Sequence, residues 1–242
     1  MEKTGTKGLS FKQKAQNYWY HYKWHTIAAL FALFVGIIIV FSQVTTPEPD
    51  VLIYYGGPAY FSENAVQSVE EAFAAVMEED SNGDGKKVTQ LIVTTVLSGD
   101  QIATKVLDAR EDGDLLYMGD LSTADAEYKQ EILYGLGTLC LLDRAHFEES
   151  KDRFAAFADV LPEDVLPEKT ISKGKGVLLF DTAFGRYFEV FAGLPEDTVL
   201  CIKKQPLHIK DKEYERAVEL LSEVLRFDLE RPAIDGSERE NN

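Results

Sequence analysis

The chain has 242 residues and a formal net charge of −16. Its first 25 residues hold five lysines and one glutamate, which is +4, so the rest of the chain carries −20. Polyanionic nucleic acid is therefore a poor partner for this larger part. Its acidity indicates either a solvated surface or an affinity for cations and basic partners.

Residues 26–44 form a long run without charges, TIAALFALFVGIIIVFSQV. As a helix the run matches a bilayer core of about 30 Å, so it predicts a transmembrane helix. Lysines precede the run, whereas Glu48 and Asp50 follow it. This asymmetry predicts a single-pass protein of the cell membrane, with a cytoplasmic N-terminus and an extracellular C-terminal domain. A cleaved secretory signal is the alternative.

An aromatic cluster, YWYHYKWH at residues 18–25, lies directly before the apolar run. Such rings prefer the headgroup layer of a bilayer, so residues 1–25 are interpreted as a cytoplasmic, basic and aromatic interfacial anchor. Nucleic-acid binding and a metal held by His21 and His25 are the alternatives. Residues 45–50, TTPEPD, are predicted to be a short linker.

Strands and helices are predicted to alternate after the linker. Strands are indicated at residues 51–55, 88–97 and 115–118, and helices from Ser62, over residues 101–111, and from Ser122 to about residue 136. Three such alternations are typical of a parallel sheet covered by helices on both faces.

The pattern weakens over residues 138–169, which include the apolar segment LCLL. Further strands are predicted at residues 177–181 and 199–203, an amphipathic helix at 212–227, and a disordered tail at 228–242. The predicted fold class is therefore α/β, with a three-layer domain of mixed, mainly parallel sheet at residues 51–227. Cys140 and Cys201 lie among apolar neighbours, as buried thiols do, and a disulfide between them is the alternative.

Two segments carry a family resemblance. SGDQIATKVLDAREDGDLLYMGD, residues 98–120, resembles the second helix and third strand of type 2 periplasmic-binding-protein-like domains, and residues 199–227 resemble their late strand and closing helix. The N-terminal part is similar to that of single-pass membrane proteins of Gram-positive anaerobes that carry such a domain outside the cell. The resemblance implies a degenerate form of this fold and a role in binding.

Asp80, Asn82, Asp84 and Gly85 match the first positions of a calcium loop. Oxygen ligands and a glycine turn suit a hard cation, so a weak structural calcium site is one interpretation. Leu91 stands where the bidentate glutamate belongs, and an ordinary polar turn is the other interpretation. No further cofactor is predicted.

Ligand-binding residues are predicted where the parallel strands end, because ligands of open α/β sheets bind at the carboxyl ends of the strands. The residues at these positions are Gly56, Gly57, Tyr60, Ser98, Asp100, Asp120 and Ser122. Turn formation explains the same residue types.

No nucleophile elbow, zinc-protease motif or phosphate-binding loop is present in the sequence. The sequence therefore predicts non-enzymatic recognition of a solute or of a partner in a membrane complex. A hydrolase with an unrecognised site is the alternative.

Overall fold

The computed structural model describes residues 11–45, 48–80, 82–83, 85–104 and 118–228. The chain divides into two compact units, Met1–Pro47 and Glu48–Asn242. In the first unit, the helix α1 (Phe11–Thr45) contains the aromatic cluster and the apolar run. The rings of Tyr18 and Tyr22 stack there with centroids 5.3 Å apart.

The transmembrane prediction is corrected by the structure. No helix among the described residues is both long enough and apolar enough to cross a membrane. The predictions of a span at residues 26–44 and of a single-pass location in the cell membrane are therefore not upheld.

The second unit is a mixed α/β structure. In chain order, its elements are β1 (Val51–Gly57), α2 (Glu63–Val76), β2 (Thr89–Thr95), α3 (described over residues 99–104), α4 (Met118–Tyr134), β3 (Leu139–Leu142), α5 (Arg144–Ser150), α6 (Phe157–Val160), β4 (Gly176–Leu178), α7 (Ala183–Tyr187), β5 (Val199–Ile202) and α8 (Asp211–Arg226). Short 3-10 helices cover Lys151–Arg153, Glu163–Val165, Leu179–Asp181 and Glu189–Gly193.

One sheet joins the five strands in the order β2-β1-β3-β5-β4. β1 pairs in parallel with β2 and β3, whereas β5 pairs antiparallel with β3 and β4. β2 and β3 lie on opposite sides of β1, so the connections β1 to β2 and β2 to β3 run in opposite directions along the sheet. Because both crossovers are right-handed, they lie on opposite faces. The prediction of an α/β unit with a mixed sheet is confirmed, and the parallel pairing is confined to the first three strands.

Each face of the sheet has its own hydrophobic cluster. α2 and α8 cover one face, where Ile53, Phe73 and Leu221 are fully buried. α4 covers the other face, where Tyr128 packs with Tyr54. These two clusters make the three layers that the alternation of elements predicts.

The predicted strand at residues 115–118 falls almost entirely outside the described residues. Residues 115–117 lie outside the described residues, and Met118 begins α4. The LCLL segment, which was not predicted to be a strand, is β3 at the centre of the sheet. All four of its side chains are buried, because β3 is covered on both faces.

The two cysteines are neighbours on adjacent strands of the sheet. Cys140 of β3 is in register with Cys201 of β5, and both are free and fully buried. The thiol of Cys201 lies 3.7 Å from the carbonyl oxygen of Cys140. Burial raises the pKa of the Cys201 thiol.

Gly185 in α7 gives a test of the core beside α8. A Cβ on Gly185 would overlap the backbone carbonyl of Leu179, whereas a Cβ on Gly193 would meet open space. We expect Gly185→Ala to lower the free energy of unfolding by about 2 kcal/mol, because backbone must move to admit the methyl group. Gly193→Ala is the matched control and should change it by less than about 1 kcal/mol. Urea unfolding of both variants measures the difference, and equal values would contradict the packing at Gly185.

Candidate functional site

The carboxyl ends of β1, β2 and β3 meet at one edge of the sheet. The sequence predicted β1 and β2 at this edge, but it placed the third strand at residues 115–118 and not at β3. Gly56 is in register with Thr94 of β2 and with Leu142 of β3. This edge is where the strand order reverses, the position that binds ligands in many open α/β sheets.

The glycines at this edge are required by close packing. A Cβ on Gly57 would lie 2.7 Å from Oη of Tyr55, and one on Gly56 would lie 3.0 Å from the ring of Tyr128. Oη of Tyr55 accepts a hydrogen bond from the backbone N–H of Ala59, and burial raises the pKa of Tyr55 to about 12. Protein side chains therefore fill the space beside Gly56 and Gly57.

Asp143 lies directly after β3, and its carboxylate accepts several hydrogen bonds at this edge. Its Oδ1 accepts from the backbone N–H groups of Ala145 and His146 and lies 3.0 Å from Nδ1 of His146. Its Oδ2 accepts from Nε2 of Gln101 in α3, whose Oε1 accepts from the N–H of Ser98. Asp143 thus joins β3, α5 and α3. Ser98 is part of the network through its backbone N–H and through its Oγ, which accepts from the N–H of Gln101.

The pKa of Asp143 follows from these contacts. Burial alone would raise the pKa of the carboxyl group, but the hydrogen bonds from His146 and Gln101 outweigh burial and hold the pKa below its usual value. His146 is only 4% exposed, and its ring packs edge-on against Tyr128. The pair therefore anchors the start of α5 and offers no open surface to a substrate.

Tyr60, Asp100 and Ser122 do not converge with this network. Tyr60 is 86% exposed, and Asp100 and Ser122 are exposed on α3 and α4. Asp120 is the third residue of α4, so it lies within the helix, and its side chain is outside the described residues. The predicted constellation is therefore only partly assembled.

The predicted calcium loop is organised by its own hydrogen bonds. The carboxylate of Asp80 accepts from the N–H groups of Gly83 and Gly85, both of which have the positive φ that favours glycine. The side chain of Asn82 donates to the carbonyl of Glu48, and its N–H donates to Asp50. These contacts are those of a polar turn, while Asp84 lies outside the described residues.

Two cavities of about 280 Å³ each open along α8. Arg216 lines both cavities, and we refer to the two cavities together as the α8 groove. The first cavity is lined by Met77, Glu78, Glu79, Arg216, Glu219, Leu220, Ser222, Glu223 and Arg226. The second is lined by Glu48, Pro49, Asp50, Val51, Leu52, Leu136, Thr138, Ile209, Glu213, Arg216 and Ala217.

The electrostatic character of the groove is visible at Glu223. Its carboxylate accepts a hydrogen bond of 3.0 Å from the N–H of Glu78. Burial raises the pKa of Glu223, and the nearby charges of Glu78 and Glu219 raise it further. Carboxylates are therefore concentrated here around apolar side chains.

Sequence reasoning missed this groove, since its residues come from distant segments. The one available signal was the spacing of acids on α8, where Glu219 and Glu223 are four residues apart and share one face. Within the described parts of the chain, no three His, Cys, Asp or Glu side chains are grouped as a metal site requires.

Comparison with known proteins adds no assignment. No family model, no curated protein and no solved structure matches the chain.

Proposed function

We propose that the folded unit is a non-catalytic recognition domain that binds a segment of a partner protein along the α8 groove. The observation that carries this proposal is the pair of cavities along α8 whose linings share Arg216. By contrast, protein side chains occupy the carboxyl edge beside Gly57 and Asp143.

The size of the cavities favours a protein segment over a small solute. Pockets that enclose small molecules usually measure about 300–1,000 Å³ and bury most of the ligand. Each cavity of the groove is slightly smaller, at about 280 Å³, and the linings of the two share Arg216. A row of shallow cavities is what side chains of an extended or helical segment occupy.

The family resemblance supports the same kind of role. Its second segment, residues 199–227, contains β5 and the closing helix α8, which forms one wall of the groove. We therefore keep the degenerate type 2 periplasmic-binding-protein-like fold as part of the proposal and assign binding to α8.

A substitution that fills the groove tests the proposal. Peptides selected on the full chain from a random library would be measured by fluorescence anisotropy against the wild type, Ser222→Trp and Ser68→Trp. Ser222 lines the groove, whereas Ser68 is exposed on α2 and lines neither cavity. We expect Ser222→Trp to weaken binding about tenfold, because the indole occupies the space of the peptide, and Ser68→Trp to leave it unchanged.

Thermal unfolding of both variants checks that they fold. The proposal fails if the selected peptides bind Ser222→Trp as tightly as the wild type, if a small solute is bound in their place, or if the chain turns over a bound molecule.

A further inference from the structure

The charge of the α8 groove indicates the chemistry of its occupant. The described lining holds seven carboxylates, Glu48, Asp50, Glu78, Glu79, Glu213, Glu219 and Glu223, against two guanidinium groups, Arg216 and Arg226. Arg226 already pairs with Asp164, which is outside the lining, at 3.0 Å. Asp50 is also engaged, since it accepts from the N–H groups of Asn82 and Val88. Glu213 pairs with Lys210 at 3.3 Å.

The carboxylates of the lining surround an apolar floor. Leu52, Ile209 and Ala217 line one cavity, and Met77 and Leu220 line the other. Leu136, at the mouth of the second cavity, is 52% exposed. Glu79, Glu213 and Glu219 are exposed around this floor.

We propose that the α8 groove binds a partner segment in which lysine or arginine alternates with apolar residues. This inference rests on the proposed function and names the class of partner. Apolar side chains of such a segment would cover the floor, while the stems of its lysines lie along it and carry the ammonium groups to the rim. The net charge of −20 after residue 25 would attract the same partner over a longer distance.

The crowding of acids beside the first cavity agrees with this assignment. Burial raises the pKa of Glu223 most, and the like charges of Glu78 and Glu219 raise it further, while the nearby ammonium group of Lys87 lowers it. A cation placed between these groups would relieve the repulsion and gain from all of them.

The test uses the full chain and two synthetic helical peptides of equal length, one of leucine and lysine and one of leucine and glutamate. We expect the leucine–lysine peptide to bind and the leucine–glutamate peptide not to bind. Binding should weaken about tenfold when the salt concentration rises from low to well above physiological, because rim charges are exposed and screened.

Two matched double variants distinguish the effect of the groove carboxylates on binding from the effect of net charge. Glu79→Gln with Glu219→Gln should weaken binding about tenfold, whereas Glu168→Gln with Glu196→Gln removes the same charge from exposed positions outside the groove and should have little effect. Equal effects of the two pairs would overturn the inference, since binding would then follow net charge alone.

Other occupants give distinct results. If neutral or acidic peptides bind and Ser222→Trp abolishes their binding, the recognition function stands and the cationic partner is wrong. If the chain forms a dimer in sedimentation that Ser222→Trp dissociates, the occupant is a second copy and the inference is also wrong. If no peptide is sensitive to Ser222→Trp, both proposals fail.

Discussion

Lys203→Met is expected to lower the free energy of unfolding by about 3 kcal/mol. Lys203 is 2% exposed, and its Nζ donates to the carbonyl oxygens of Glu131 and Gly135 at 2.6 and 3.4 Å. It also lies 3.7 Å from the carboxylate of Glu131 and 5.7 Å from the centre of the Tyr54 ring. Methionine would fill the space but remove the Nζ donor from the partly buried carbonyls of Glu131 and Gly135 and the charge beside the Glu131 carboxylate, which is costly.

Urea unfolding measures this loss, with Lys204→Met as the neighbouring control. Lys204 is exposed, so its replacement should change the free energy of unfolding by less than about 0.5 kcal/mol. A loss below about 1 kcal/mol for Lys203→Met would contradict the proposed role of its contacts. The same contacts hold the loop that carries Leu136 and Thr138 to the α8 groove, so binding should weaken as well.

Asp143→Ala is the second large effect that we expect, again about 3 kcal/mol. The substitution removes the N-cap of α5, which is worth about 1 kcal/mol, and it leaves His146 and Gln101 without their acceptor. Ser62→Ala is a useful comparison, because Ser62 caps α2 at an exposed position and should cost about 1 kcal/mol. Equal losses for the two variants would show that Asp143 is only a helix cap.

The pH dependence of Asp143 has a definite sign. The folded state holds the pKa of Asp143 below its unfolded value, which is about 3.9. The carboxylate therefore stabilises the folded chain fully above the unfolded pKa, and this contribution is lost as the pH falls through the folded pKa. The stability difference between the wild type and Asp143→Asn should be constant near neutral pH and should shrink below about pH 4. A difference that grew on acidification would contradict this sign.

The elements with a clear period were predictable from the sequence. α8 is observed at Asp211–Arg226 and was predicted at residues 212–227, because its apolar side chains recur at helical spacing and face the sheet. β1 and α2 follow their predicted starts equally well. The segment LCLL was missed because four apolar residues suit a strand and a buried helix alike.

The site depends on contacts that no local pattern encodes. The α8 groove combines residues 48–52, 77–79 and 209–226 with Leu136, which approach only after the sheet has formed. Lys203 follows β5 directly, and its sequence neighbours predict an exposed lysine. It is buried because the end of α4 lies over it. The spacing of Asp143 and His146 fits a helix cap, whereas the link to Gln101 spans 42 positions of the chain.

The two neighbouring free thiols in the middle of the sheet can report on opening of the folded unit. Cys140 and Cys201 are the two cysteines of the chain, and neither exposes any surface while β3 and β5 remain joined. An alkylating reagent can reach them only when the central strands separate, so the rate of labelling in native buffer measures how often the sheet opens. A molecule that binds the folded unit makes such opening rarer, and slower alkylation would therefore reveal a ligand without any attached dye or introduced residue.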